Sequence, residues 1–247
     1  MTLTGFAPRA SLRGLLAAGV YLASIALPAP ASAQGVVVDQ GIFAVSLDGR
    51  AAGTEEFTIR RAGLNRDDAL FATATVTLRR GGANQQLRVL LRATPDSGLP
   101  KCEGNEPCYQ VDVEGVEATS LRLGLSGRRF VARIIDAVGE EIREFPATPD
   151  TRVLERDVAH LYYFLRDLDE GAVSSVLAPR DRSRANFTTG AWTEEQIQLG
   201  PNVVAARRVE FTAGDDRRTV WFDRFGRVLR VSVPAQGYLA ERTDLVG

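Results

Sequence analysis

From Gly41 to Arg143 apolar residues fall on every second position rather than every third or fourth. Ala69–Arg80 is the clearest run: Leu70, Ala72, Ala74, Val76 and Leu78 share one face, and Thr73, Thr75, Thr77 and Arg79 share the other. Leu87, Val89 and Leu91 repeat the pattern against Arg88 and Arg92, and Leu121, Leu123 and Leu125 repeat it against Ser120, Arg122 and Ser126. Asp48-Gly49, Gly81-Gly82, Ser126-Gly127 and Val138-Gly139 punctuate these runs as tight turns, which predicts consecutive antiparallel hairpins. Alternation returns after residue 200. Val209 and Phe211 lead through Gly214-Asp215-Asp216 to Thr219–Asp223, and Arg224-Phe225-Gly226 turns into Val228–Val233, where Leu229, Val231 and Val233 face one way.

One segment has a different period. In Asp157–Leu168 the residues Val158, Leu161, Tyr162, Leu165 and Leu168 recur at helical spacing, with Asp157 suited to the N-cap and Gly171 to the stop. The expectation is one amphipathic helix of about three turns over 157–168. A sheet of about ten half-buried strands must curl or fold over. The predicted fold is therefore mainly β, a single strongly curved antiparallel sheet or incomplete barrel with the helix on its concave side. That concavity either binds an apolar ligand or is filled by the protein's own side chains. Phe145–Glu155, rich in proline and charge, reads as the mid-chain junction.

The first 33 residues read as an export signal: Arg9 and Arg13, then the apolar run Leu15–Leu27, then the small-residue site Ala31-Ser32-Ala33. Cleavage is expected near Ala33/Gln34, leaving residues 34–247 as a single β-rich domain that is periplasmic or secreted. No second long apolar run follows, and Gln34 is not a lipidation cysteine, so no stable membrane anchor is expected. Net charge is −1 at pH 7, so the charge balance implies neither a nucleic acid nor an anionic membrane surface as partner. In an oxidising compartment the two cysteines, Cys102 and Cys108, are expected to form a disulfide closing a surface loop.

The second half is similar to a family of exported bacterial proteins known as a domain of unknown function. The residues that carry the resemblance are Asp157-Val-Ala-His-Leu-Tyr-Tyr-Phe-Leu-Arg166 followed by Gly171, matching an aspartate, a Leu-Tyr pair and a Leu-Arg pair before a glycine. Val220–Arg230, running towards Pro234, resembles the family's closing hairpin, and Gly41–Leu47 with Gly53–Ile59 its first. The resemblance implies a curved antiparallel sheet broadly like that of periplasmic lipoprotein carriers, with no established activity.

Catalytic constellations are hard to assemble from these residues. His160 is the only histidine, and no Gly-x-Ser-x-Gly elbow accompanies it, so it reads as a partly exposed structural residue rather than a base. One histidine and a paired cysteine couple supply no metal site, and no cofactor is expected. The acidic pairs Glu55-Glu56, Asp67-Asp68, Glu140-Glu141, Glu194-Glu195 and Asp215-Asp216 are adjacent in sequence, so on a strand they point to opposite faces. A hydrolase of envelope polymers, working through two carboxylates across a cleft, is the alternative they leave open. Asp167, Asp169 and Glu170, like Asp215-Asp216, lack calcium-loop spacing and read as surface charge. The binding signal lies in the aromatics. Tyr162, Tyr163, Trp192 and Trp221 are the groups expected at the mouth of a cavity. The leading expectation is a non-enzymatic envelope protein whose partner is a lipid or another apolar ligand, or an envelope protein. A purely structural interaction role is a third reading.

Overall fold

The computed structural model describes residues 35–63 and 68–245. The export signal and its cleavage site lie outside the described residues. Sixteen strands among them form one sheet. The first eight run as a meander of hairpins: β1 (Val36–Leu47), β2 (Arg50–Ala62), β3 (Ala69–Arg80), β4 (Ala83–Ala93), β5 (Tyr109–Gly115), β6 (Thr119–Ser126), β7 (Arg129–Asp136) and β8 (Gly139–Pro146). A crossing segment follows. It carries the short β9 (Arg152–Val153) and a 3-10 helix, His160–Leu165. The chain then builds β10 (Val173–Ala178), β11 (Ser183–Thr189), β12 (Thr193–Leu199), β13 (Asn202–Ala213), β14 (Asp216–Phe222), β15 (Val228–Val233) and β16 (Tyr238–Arg242).

The last strand joins the two halves. β16 pairs antiparallel with β1, giving the order β8-β7-β6-β5-β4-β3-β2-β1-β16-β15-β14-β13-β11-β10-β9, with β12 paired to β13 off this path. The sheet does not close into a barrel. Among the described strands only β9 and β10 pair in parallel. Turn chemistry sets the hairpins: Asp48 and Gly49 both have positive φ (49° and 73°), as do Gly81 and Gly82 (57° and 86°), the requirement of tight two-residue connections between twisted strands.

Alternation places the core. On β3, Ala72, Ala74, Val76 and Leu78 are buried while Thr73, Thr75 and Thr77 are exposed. A single hydrophobic cluster draws on β1 through β11 and β13 through β16, so the sheet must wrap around one interior. Two of the expected facings change. Leu125 shares its row with Leu121 and Leu123 but lies at the strand end, where it is exposed. Leu229 turns away from Val231 and Val233. The β14–β15 ladder slips at this point, pairing Trp221 with Arg230 but Phe222 with Val228. Leu229 is thus the extra residue of a β-bulge and packs with Ile197, Leu199 and Ala206 in a second cluster.

The crossing segment fills the interior, and this changes its helix. Instead of three amphipathic turns over 157–168, the chain forms a six-residue 3-10 helix in which all six residues are buried. An element enclosed by a sheet has no solvated side, so Tyr163 and Phe164 are buried along with Leu161 and Tyr162. Asp157 has φ +67° and lies outside the helix. Its carboxylate instead pairs with Arg80 at 2.8 Å. Gly171, expected as the stop, turns at φ +78° and donates its N–H to Thr189 O at 2.8 Å. The cysteines form the expected Cys102–Cys108 disulfide. Among the described residues no helix is long and apolar enough to cross a membrane.

Candidate functional site

The 3-10 helix is held by a side chain from another strand. Its own N-terminal residues supply no side-chain cap. Glu55, on the inward row of β2, accepts from Ala159 N–H at 2.6 Å and His160 N–H at 2.9 Å, and meets His160 Nδ1 at 2.6 Å. An acceptor already holding two amides takes Nδ1–H as its third donor. Both side chains are wholly buried, and the His160 ring stacks on Phe57 with centroids 5.8 Å apart. His160 is therefore more deeply placed than its offset from the apolar stripe predicts, because the helix is packed on all sides.

A second buried network surrounds it. Arg180 lies 3.4 Å from Glu155 and 3.7 Å from Asp157, and Tyr109 donates to Glu155 at 3.2 Å. Burial raises the Glu155 carboxyl above its ordinary range against the pull of Arg180, and burial raises the Tyr109 phenol well above its own. On β16, Arg242 makes a bidentate pair with Asp39, at 3.0 and 2.8 Å. These groups tie the crossing segment and the two halves of the sheet together.

The four aromatic candidates do not converge. Tyr162 is buried, and its hydroxyl accepts from Arg218 at 3.3 Å. Trp192 is half-buried against Phe222, donates Nε1–H to Leu168 O at 3.0 Å, and carries the Arg207 guanidinium 4.4 Å above its ring. Trp221 lies with the second cluster, beside Glu195 and below Arg230, away from the other three. Tyr163 lines a crevice.

That crevice has a volume of about 440 Å³ and is walled by Val36, Val37, Val38, Leu70 and Pro95, with Arg61, Arg166 and Tyr163. The Arg166 guanidinium sits 3.9 Å over the Tyr163 ring, donates to Tyr163 O at 3.0 Å and pairs with Asp167 at 3.2 Å. Burial raises the Tyr163 phenol, and the nearby Arg166 opposes the rise. A recess of about 230 Å³ adjoins through Pro95 and Arg166, with Ser97, Gly98 and Phe164 on its walls. Gly98 is required there: φ is +64°, and a β-carbon would come within 3.0 Å of Phe164 Cβ. Apolar walls with two guanidinium groups can hold a short hydrocarbon chain and an anionic head.

No protein-family model matches this chain, and no curated protein matches it in sequence. Among solved structures, it is similar to the crystal structure of a β-barrel-like protein of the domain of unknown function DUF1849 from Brucella abortus. The TM-score is 0.50 at 10% identity, over 85% of this chain and 98% of that one. The likeness is one of fold. It agrees with a β protein of a domain of unknown function.

Glu55 is buried and Glu56 exposed, so the pair is split between faces as alternation predicts. A groove of about 750 Å³ on the outer face of β1–β5 carries Glu56, Asp112 and Asp244. The bond from Arg122 holds the Asp112 carboxyl below the carboxylate range. Burial would raise Asp244, but Arg242 and the Ile42 N–H outweigh it and hold that carboxyl low as well. A glycosidase acid needs the opposite shift. Among the described residues no cluster of three potential metal ligands occurs.

Sequence reasoning missed Glu55 and Asp39 as buried ion-pairing groups. The signal was present: Glu55 is in phase with Phe57 and Ile59, and Asp39 with Phe43 and Val45.

Proposed function

We propose that this is an exported, non-catalytic envelope protein that binds an anionic amphiphile in the Tyr163–Arg166 crevice. One observation carries the reading: five apolar side chains and two arginines line a surface recess beside Tyr163. The wrapped interior, by contrast, is occupied by the chain's own crossing segment. The ligand on this reading is held at the rim rather than in a central cavity. The Cys102–Cys108 disulfide and the apolar leader at residues 15–27 support placement outside the cytoplasm.

Titration with sodium decanoate, followed by calorimetry, tests the reading. Saturable binding is expected, weakened by about tenfold in Arg61→Glu, the size of one lost charge-assisted hydrogen bond. Absence of saturable decanoate binding, or equal affinity in the variant, overturns it.

A further inference from the structure

Phe225 is a large aromatic side chain left 66% exposed at the tip of the β14–β15 turn. The turn closes without its ring. Asp223 N–H donates to Arg227 O at 2.9 Å and Gly226 N–H to Asp223 O at 3.0 Å. Asp223 Oδ1 accepts the N–H groups of Phe225 and Arg227 at 2.8 and 2.9 Å, and Oδ2 accepts Arg227 Nε–H at 2.6 Å. The ring is therefore presented on a rigid mount. Arg224 and Arg227 flank it, with guanidinium carbons 4.6 and 5.5 Å from its centroid.

Gly226 packs on the stem of Arg166, where a β-carbon would lie 2.7 Å from Arg166 Cδ. Arg166 in turn borders the crevice walled by Val36, Val37 and Val38, which are 73%, 41% and 40% exposed. Four exposed apolar side chains and the cations Arg61, Arg224 and Arg227 thus lie around Arg166. Of the nearby acids, Asp223 is engaged in the turn and Asp167 is paired with Arg166, while Asp96 lines the recess beside Arg166 and Glu194 and Glu195 share a groove with Arg224. Asp169 and Glu170, further along the same segment, temper the positive charge. Arginine next to exposed aromatic and branched apolar residues matches the headgroup layer of an anionic bilayer, where phosphate lies beside hydrocarbon.

We propose that this end of the molecule docks on an anionic phospholipid surface. Phe225 and the valines enter the headgroup layer, and the arginines engage its phosphates. The inference rests on the crevice reading in one respect: it names the surface from which the amphiphile is taken.

Co-sedimentation with phosphatidylglycerol–phosphatidylethanolamine vesicles tests it, with phosphatidylcholine vesicles as the neutral reference. The purified protein is expected to pellet with the anionic vesicles, to do so less at high salt, and to stay in solution with the neutral ones. Phe225→Ser should lower partition onto anionic vesicles by about tenfold, the worth of one buried aromatic ring, and leave decanoate affinity unchanged. Arg224→Glu should weaken pelleting in the same direction. Docking is overturned if the protein ignores anionic vesicles, or if Phe225→Ser pellets as well as the parent. Vesicle binding that depends on Phe225 in a protein that takes no decanoate would uphold docking and sink the crevice reading.

Discussion

Glu55 has no local reason to be where it is: a carboxylate on an inward row of a strand, followed by a second carboxylate on the outward row. What offsets its desolvation is donor geometry, two backbone amides at the start of the 3-10 helix and the His160 imidazole. Replacing one carboxylate oxygen by an amide NH₂ sets a donor against donors in a dry site. Glu55→Gln should therefore destabilise the fold by about 3 kcal/mol, read as a lower urea midpoint. Glu56→Gln, one residue away on the solvated face, should change stability by less than about 0.5 kcal/mol. Equal losses in the two variants would contradict the placement. The contrast was legible in the sequence as a phase, since Glu55 aligns with Phe57 and Ile59, but its partner was not. Nothing in a linear pattern says that residues 159 and 160 return to the middle of β2.

At the scale of elements, the strands were legible because alternation and turn residues are local signals. Thr73, Thr75 and Thr77 face outward, and the Asp48-Gly49 and Gly81-Gly82 turns lie where expected. The crossing helix was not, because its period of apolar residues could not reveal that the opposite side would be covered as well. The Leu229 bulge escaped for a similar reason: a one-residue slip is set by the partner strand. The cysteine pair was legible, and its position explains its use. Residues 94–108, between β4 and β5, form a much longer connection than the neighbouring tight turns. Cys108 is fixed by its N–H to Leu123 O and by its carbonyl accepting from Arg92 N–H, both within the ladder region. Cys102 lies on the loop, whose Lys101 N–H donates to Arg92 O at 2.8 Å. Joining the two removes freedom mainly from the unfolded chain. The Cys102→Ala, Cys108→Ala double variant should lose about 2–3 kcal/mol in a denaturant titration. A loss below about 0.5 kcal/mol would mean that the hydrogen bonds alone order the loop.

For the whole molecule, the consequential property is that the sheet wraps without closing. Its joint is β1–β16, made of the first and last strands and locked by the buried Arg242–Asp39 pair, with 1% and 3% of their side chains exposed. Its free margin is β8, where only Phe145 among eight residues is buried and Ile142 is 60% exposed. What faces that margin is the β10–β11 turn, whose Arg182 reaches Glu141 at 2.8 Å and Asp136 at 3.3 Å. Those pairs are half-exposed and salt-screened, so each contributes little. Opening should therefore begin at β8, where few apolar contacts must be broken, and stop at β1 and β16, where many must. Hydrogen exchange read by mass spectrometry should find amides of 139–146 exchanging well before those of 43–47 and 238–242. Arg182→Glu should speed exchange in 139–146 further while leaving the urea midpoint nearly unchanged. Equal protection of β8 and β16 would mean that the margin is held by more than these ion pairs. The two edges would then open only with the whole sheet, as they would in a closed barrel.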